Sequence, residues 1–269
     1  MKQVMKFFPV VIMGIIVFTG CKKTATIPQE EISQSTLAKI YEHGFGTSDV
    51  QKVEEGYLVE GDIVLTEEFL GQKPAGNFLR IANNEQYRTT LLVTGLPRTI
   101  KIALDSKLSA KTGYKQALQV VADRYNAQRL SLTFSVVSSG ADITFVDGHG
   151  QFLASAGFPS SSGAPYGTVK VNSQTIGTGN NQIFYDFLGS ILAHEAGHCI
   201  GFRHTDFMDR SYSCGGAYAN EGESNIGAIQ IAGTPSGPDK DSWMLSCVSR
   251  NQSRPFNSND VIALKTLYP

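Results

Sequence analysis

His194-Glu195-Ala196-Gly197-His198-Cys199-Ile200-Gly201-Phe202-Arg203-His204 places three of the chain's five histidines within eleven residues. On an α-helix, positions i and i+4 lie one turn apart on the same face, so His194 and His198 aim their ring nitrogens at one cation. Glu195, adjacent to the first of them, reaches a water on that cation without ligating it. A continuing helix would carry His204 out of reach. Gly201 permits the left-handed backbone that ends a helix and reverses the chain, so His204 returns to the third position. Three neutral nitrogens and one open position are the arrangement of a catalytic zinc site, whereas a structural site is closed by a fourth protein ligand. The spacing therefore implies catalysis.

Working outward, Phe184, Phe187, Leu188, Ile191 and Leu192 recur at +3, +4, +7 and +8, which predicts an amphipathic helix running into residues 194–200. A second long helix is predicted where Tyr114, Ala117, Leu118, Val121, Ala122 and Tyr125 share a face. Strand patterns fall at 99–104, 130–136, 141–146, 152–158 and 168–172, separated by Gly and Ser turn signals. The expected class is α+β, a mixed twisted sheet of about five strands with two long helices. After His204 the chain is rich in Gly, Ser, Asn and Pro until about Asp239, and residues 259–267 read as a short closing helix. Residues 22–98 are polar and irregular, with one short strand signal in Gly56–Leu65. The chain thus divides into a leader (1–20), a lead or pro-like segment (21–98) and a main domain (99–269).

Composition narrows the partners. The 269 residues carry 23 basic against 24 acidic side chains, a formal net charge of −1, which leaves no basic field to neutralise phosphates, so nucleic acid is not expected as a ligand. Hydrophobic residues at 41% in a chain of this length support a real core. Charged residues at 17% fall below the roughly 25% usual for soluble domains, and 27 glycines point to long connections.

Lys2 and Lys6 precede an apolar run from Phe7 to Phe18, too short for a transmembrane helix of about 20 residues. Its end, Val17-Phe18-Thr19-Gly20-Cys21, resembles the bacterial lipobox, with Phe18 in place of the usual Leu. That resemblance implies cleavage before Cys21, lipidation of its thiol, and a membrane tether at the cell envelope, on the outer membrane or cell surface; a secreted protein cut elsewhere, or an uncleaved anchor, is the other reading. Cys199, Cys214 and Cys247 then remain in an oxidising compartment, where thiols pair. Cys214 with Cys247 is the expected disulfide, with Cys199 left open as an alternative partner.

The extended His, Glu, His, Gly, His pattern resembles that of the metzincin zinc peptidases, and Ser242-Trp243-Met244-Leu245 is similar to their methionine turn. In that family the methionine packs beneath the metal without binding it; an ordinary core methionine is the plainer reading of Met244. The stretch Asp147–Pro159 is similar to the matrixin edge strand, and Asn259–Tyr268 to the family's terminal helix. The lead segment and Cys199-Ile200-Gly201-Phe202-Arg203-His204-Thr205-Asp206 most resemble the bacterial dual-action HEIGH metallopeptidases, with HEAGH here in place of HEIGH. The resemblance implies a zincin-type fold and a peptidase acting on protein or peptide substrates, with Glu195 as general base and the substrate extended along the 152–158 edge. Ser155 stands where matrixins have a ligand for a structural zinc, so one metal is expected and His149 is read as a surface residue. Ser246 stands where astacins have a metal-reaching tyrosine, so no such contribution is expected. Val59-Glu60-Gly61-Asp62-Ile63 is similar to the astacin pro-segment motif, which implies that Asp62 fills the open zinc position and holds the enzyme latent, with an activating cut after Arg80, Arg88 or Arg98; a structural Gly-Asp turn is the alternative. A tethered, non-catalytic zinc-binding lipoprotein is the competing functional reading.

Overall fold

The computed structural model describes residues 31–73, 86–217, 228–234 and 239–269. The leader, Cys21 and Arg80 lie outside the described residues. In chain order the described elements are α1 (Gln34–Glu42), β1 (Gln51–Val53), β2 (Gly56–Val59), β3 (Ile63–Leu65), α2 (Glu67–Leu70), β4 (Tyr87–Arg88), β5 (Arg98–Leu104), α3 (Ser106–Ser109) and α4 (Tyr114–Asn126). They continue with β6 (Leu132–Val136), β7 (Ile143–Asp147), β8 (Ala154–Gly157), β9 (Thr168–Val171), α5 (Ser173–Ile176), α6 (Gln182–Cys199), α7 (Ser211–Cys214), β10 (Ile229–Gln230) and α8 (Ser258–Leu267).

Two long helices cover the sheet because their sequences demand burial. In α4 the six residues of the predicted apolar face are all buried. In α6, capped by the Asn181 side chain accepting from Phe184 N, every residue from Phe187 to Ile200 is buried. A helix enclosed on all sides is a core element, and this one carries the histidine pair through the centre of the molecule. Gly189 lets α4 and α6 approach closely: a Cβ there would lie 2.7 Å from Val120 Cγ1.

The sheet has eight strands, in the order β1-β2-β3-β8-β9-β7-β5-β6. The five strands anticipated from the pattern form one half, β9-β7-β5-β6 parallel and β8 antiparallel to β9. The other three come from the lead segment. The strand signal at Gly56–Leu65 is a hairpin, β2 antiparallel to β3, and β3 runs parallel to β8 with Ile63 opposite Ala156 and Val64 opposite Gly157. The expectation of an irregular lead segment is therefore corrected. Ile40, Phe45, Val59, Ile63, Leu65 and Phe69 form a second core that closes on Phe158 of the main domain. Short strands hid this, since runs of three or four residues give little periodicity to detect. The edge of β8, read as a platform for substrate, is paired with β3.

Candidate metal centre

Asp62, His194, His198 and His204 each offer one ligand atom, all within 4.8 Å of one another, and all four residues are buried. The local chain explains the convergence. α6 supplies His194 and His198 one turn apart, and its last turn closes with Gly201 N donating to His198 O at 2.9 Å and Phe202 N to Gly197 O at 2.9 Å. Gly201 has φ +106, and a Cβ there would lie 2.6 Å from Leu91 O, so this reversal requires glycine. The returning chain sets His204 Nε2 3.2 Å from the Asp62 carboxylate.

The second nitrogens of the rings decide what the site holds. His198 Nδ1 donates to Phe202 O at 2.8 Å and His194 Nδ1 to Trp243 O at 2.9 Å. A carbonyl only accepts, so each ring in its neutral form carries its proton on Nδ1 and presents Nε2 as a lone pair. These two Nε2 atoms stand 3.0 Å apart. Burial, with His194 and His204 nearby, holds His198 well below the ordinary histidine range, so it stays neutral. Two lone pairs at that distance repel unless a cation lies between them, and the nitrogen and carboxylate donors are those zinc takes. The residues fit the ion.

Trp243, whose carbonyl orients His194, belongs to the stretch read as a methionine turn. Met244 is fully buried, and a Cβ on Gly197 would lie 2.6 Å from its Sδ. Gly197 is thus the position that lets the turn pack under the histidine pair. Glu195 is 2% exposed, outside the four-residue cluster, with Oε2 buried and unpartnered. Burial and the nearby Asp62 push its carboxyl well above the usual carboxylate range, against the pull of His204.

Asp62 arrives from the hairpin turn, where Glu60 and Gly61 have φ +53 and +88 and Asp62 O accepts from Ala156 N at 2.9 Å. Burial alone would raise its carboxyl, but His204, His194 and His198 hold it well below the carboxylate range. The turn is anchored by a pair that the sequence did not reveal. Arg203, fully buried, ion-pairs with Glu60, donates to Gly44 O at 3.0 Å and lies 4.1 Å from the Phe45 ring centroid. The one available signal was a charged residue inside an otherwise buried helix-end turn.

Two further anchors were missed. Asp206 Oδ1 accepts from Ser246 N and Ser246 Oγ, both at 2.9 Å, and its Oδ2 from Ser213 Oγ at 2.5 Å. Ser246 therefore serves the loop rather than the metal. Asp260 of α8 accepts from Gln86 Nε2 (2.6 Å), Ser242 Oγ (3.2 Å), Trp243 N (3.2 Å) and Asn257 N (3.0 Å). Cys214 and Cys247 form a disulfide, and Cys199 is free and buried. His149 is exposed, and Ser155 is buried.

Fold and site together define a metzincin-type zinc metallopeptidase with one metal ion. The chain belongs to the dual-action HEIGH metallo-peptidase family, whose profile matches residues 58–268. That match begins inside the lead hairpin. Among solved structures the chain is similar to myroilysin, at 17% identity over 68% of this chain and 98% of that one, with a TM-score of 0.42. It is also similar to high choriolytic enzyme 1, a hatching enzyme zinc-protease from Oryzias latipes, at 16% identity over 63% of this chain and 88% of that one, with a TM-score of 0.39. No curated protein matches the chain.

Proposed function

We propose that this protein is a zinc-dependent endopeptidase made as a latent, lipid-tethered precursor, with His194, His198 and His204 as ligands, Glu195 as general base and Asp62 as an inhibitory fourth ligand. The observation that carries the reading is the convergence of three imidazoles and one carboxylate from a distant segment on a single point. Zinc in such a site makes water acidic enough to attack at neutral pH and polarises a carbonyl. The remaining work belongs to the chain. Glu195 takes the proton of the attacking water on its unpartnered oxygen and delivers it to the leaving amine. Trp243 O and Phe202 O fix the tautomers and orientation of the first two ligands.

Latency is supported twice. Asp62 stands among the ligands, and β3 occupies the β8 edge along which an extended peptide would add as a strand. The substrate strand and the lead segment compete for the same backbone groups. Tethering rests on the Val17–Cys21 sequence, and Cys21→Ser should abolish incorporation of labelled fatty acid. Among the described residues no helix is long and apolar enough to cross a membrane.

The deciding experiment is peptide hydrolysis by zinc-loaded protein freed of the lead segment, compared with its Glu195→Gln variant. Zinc stoichiometry should be unchanged while turnover falls roughly 10²–10⁴-fold. An undiminished rate would remove Glu195 from the role of base.

A further inference from the structure

Beside the metal centre lies a cavity of about 210 Å³, walled by Phe152, Leu153, Ile191, Leu245 and Val248 and reaching His194 and Glu195. The polar side chains of its lining that the mechanism leaves unused are Gln151, Ser190, Ser246, Arg210 and Arg254. Arg254 lines the cavity and is 8% exposed. Its guanidinium makes a single hydrogen bond among the described residues, Nη1 to Cys247 O at 2.9 Å, and Nε is buried without a partner. A guanidinium offers five N–H donors.

No carboxylate of the described residues stands in ion-pair contact with it. The acids close enough to act on it through space are Asp206, Asp241 and Asp260. Asp206 is engaged by Ser213 and Ser246, and Asp260 by Gln86, Ser242, Trp243 and Asn257. Burial lowers the pKa of the Arg254 guanidinium from its ordinary value, partly offset by those three acids. Arg254 thus has acids nearby but no carboxylate in direct contact, and an anion entering the cavity would supply that contact while satisfying idle donors. Arg210, which also lines the cavity, stands against the lead hairpin, where a Cβ on Gly61 would lie 2.5 Å from its Nη2.

We infer that this cavity is a specificity pocket for a carboxylate on the residue flanking the scissile bond, with Arg254 as its recognising cation. The inference rests on the peptidase reading of the adjacent site and names the substrate class: a peptide with a long acidic side chain, its methylenes against the apolar wall and its carboxylate on Arg254, or one whose free C-terminal carboxylate fills the same place. Arg254 is a specificity residue and takes no part in bond cleavage.

The test reads binding on the full, zinc-loaded chain, since the cavity is present with the lead segment in place. Three probes are titrated by calorimetry: N-acetylglutamate α-amide, N-acetylglutamine α-amide and N-acetylglutamine with its α-carboxylate free. At least one carboxylate probe should bind about tenfold or more tightly than the uncharged diamide, and which of the two does so distinguishes a side chain from a chain terminus. Arg254→Gln should erase that advantage without changing diamide affinity, and Arg254→Lys should retain much of it. Equal affinity for all three probes in the unmodified protein, or no binding at all, overturns the inference before any variant is needed. An advantage that survives in Arg254→Gln also overturns it, by assigning the carboxylate to the zinc or to Arg210. An undiminished rate in the Glu195→Gln experiment would leave this binding result untouched, so the two readings fail separately.

Discussion

At the residue scale, the balance at the site turns on one buried pair. Arg203 and Glu60 have side chains 0% and 1% exposed, so neither charge is solvated and each depends on the other. Removing one partner of such a pair costs about 3–5 kcal/mol, because the survivor stays buried and uncompensated. Glu60 is two residues from Asp62, so the penalty falls on the turn that holds Asp62 among the histidines. Glu60→Gln should therefore loosen the lead segment and raise the basal peptidase activity of the uncut precursor by at least roughly tenfold, scored against the Asp62→Ala variant. Unchanged basal activity with intact folding would show that the hairpin holds without the ion pair. The histidines were legible in the sequence because their geometry is local: a helical repeat, then a glycine reversal. Arg203 and Glu60, 143 positions apart, leave no periodic trace, and nothing in a hydrophobic pattern pairs them.

At the scale of elements, Asp260 joins three pieces that the sequence treats separately: Gln86 beside β4, the turn at Ser242 and Trp243, and the start of α8. Because Trp243 O also orients His194, this carboxyl supports a ligand through one intervening residue. Burial pushes the Asp260 carboxyl up to about 7, against the backbone and Ser242 donors that favour its charged form. A carboxyl whose pKa is raised on folding contributes stability that is fully present below its unfolded value near 3.8 and is lost as pH rises through about 7. The slope is at most about 1.4 kcal/mol per pH unit across that window. Denaturation midpoints of Asp260→Asn should accordingly be flatter than those of the parent between pH 4 and 7. Parallel profiles would mean that the donors keep Asp260 ionised throughout. The elements themselves were largely readable, since α4, α6 and the five main strands each bury a full periodic face. The hairpin showed only as one short strand signal at Gly56–Leu65, because each of its strands is three or four residues long and is buried on both sides.

For the whole molecule, the proposed latency raises the question of what a cut in the lead segment would accomplish. Arg88 and Arg98 are poor places for it. Arg88 lies in β4, paired with Ile229 of β10 and bridged to Phe202, and Arg98 opens β5, a central strand paired with β6. Gln86 is tied to Asp260 and Ser242, so the main domain begins in effect at residue 86, and a productive cut belongs between 73 and 86. Such a cut would break one peptide bond and, among the described residues, none of the contacts that hold the lead segment. The β3 pairing with β8, the second core around Phe158, the Arg203 pair and Asp62 all survive it. The nicked protein should therefore remain a two-chain complex, still inhibited, with the freed segment acting as a dissociable ligand of the site. Its specific activity should rise on dilution as the segment leaves, and adding back a peptide spanning residues 31–73 should lower it again. Zinc removal should weaken the segment's hold, because Asp62 would lose its ligand bond while the hairpin contacts persist. If the nicked protein is fully active at every concentration, covalent continuity rather than the buried interface maintains latency, and the energetic weight assigned to Glu60 and the second core is wrong.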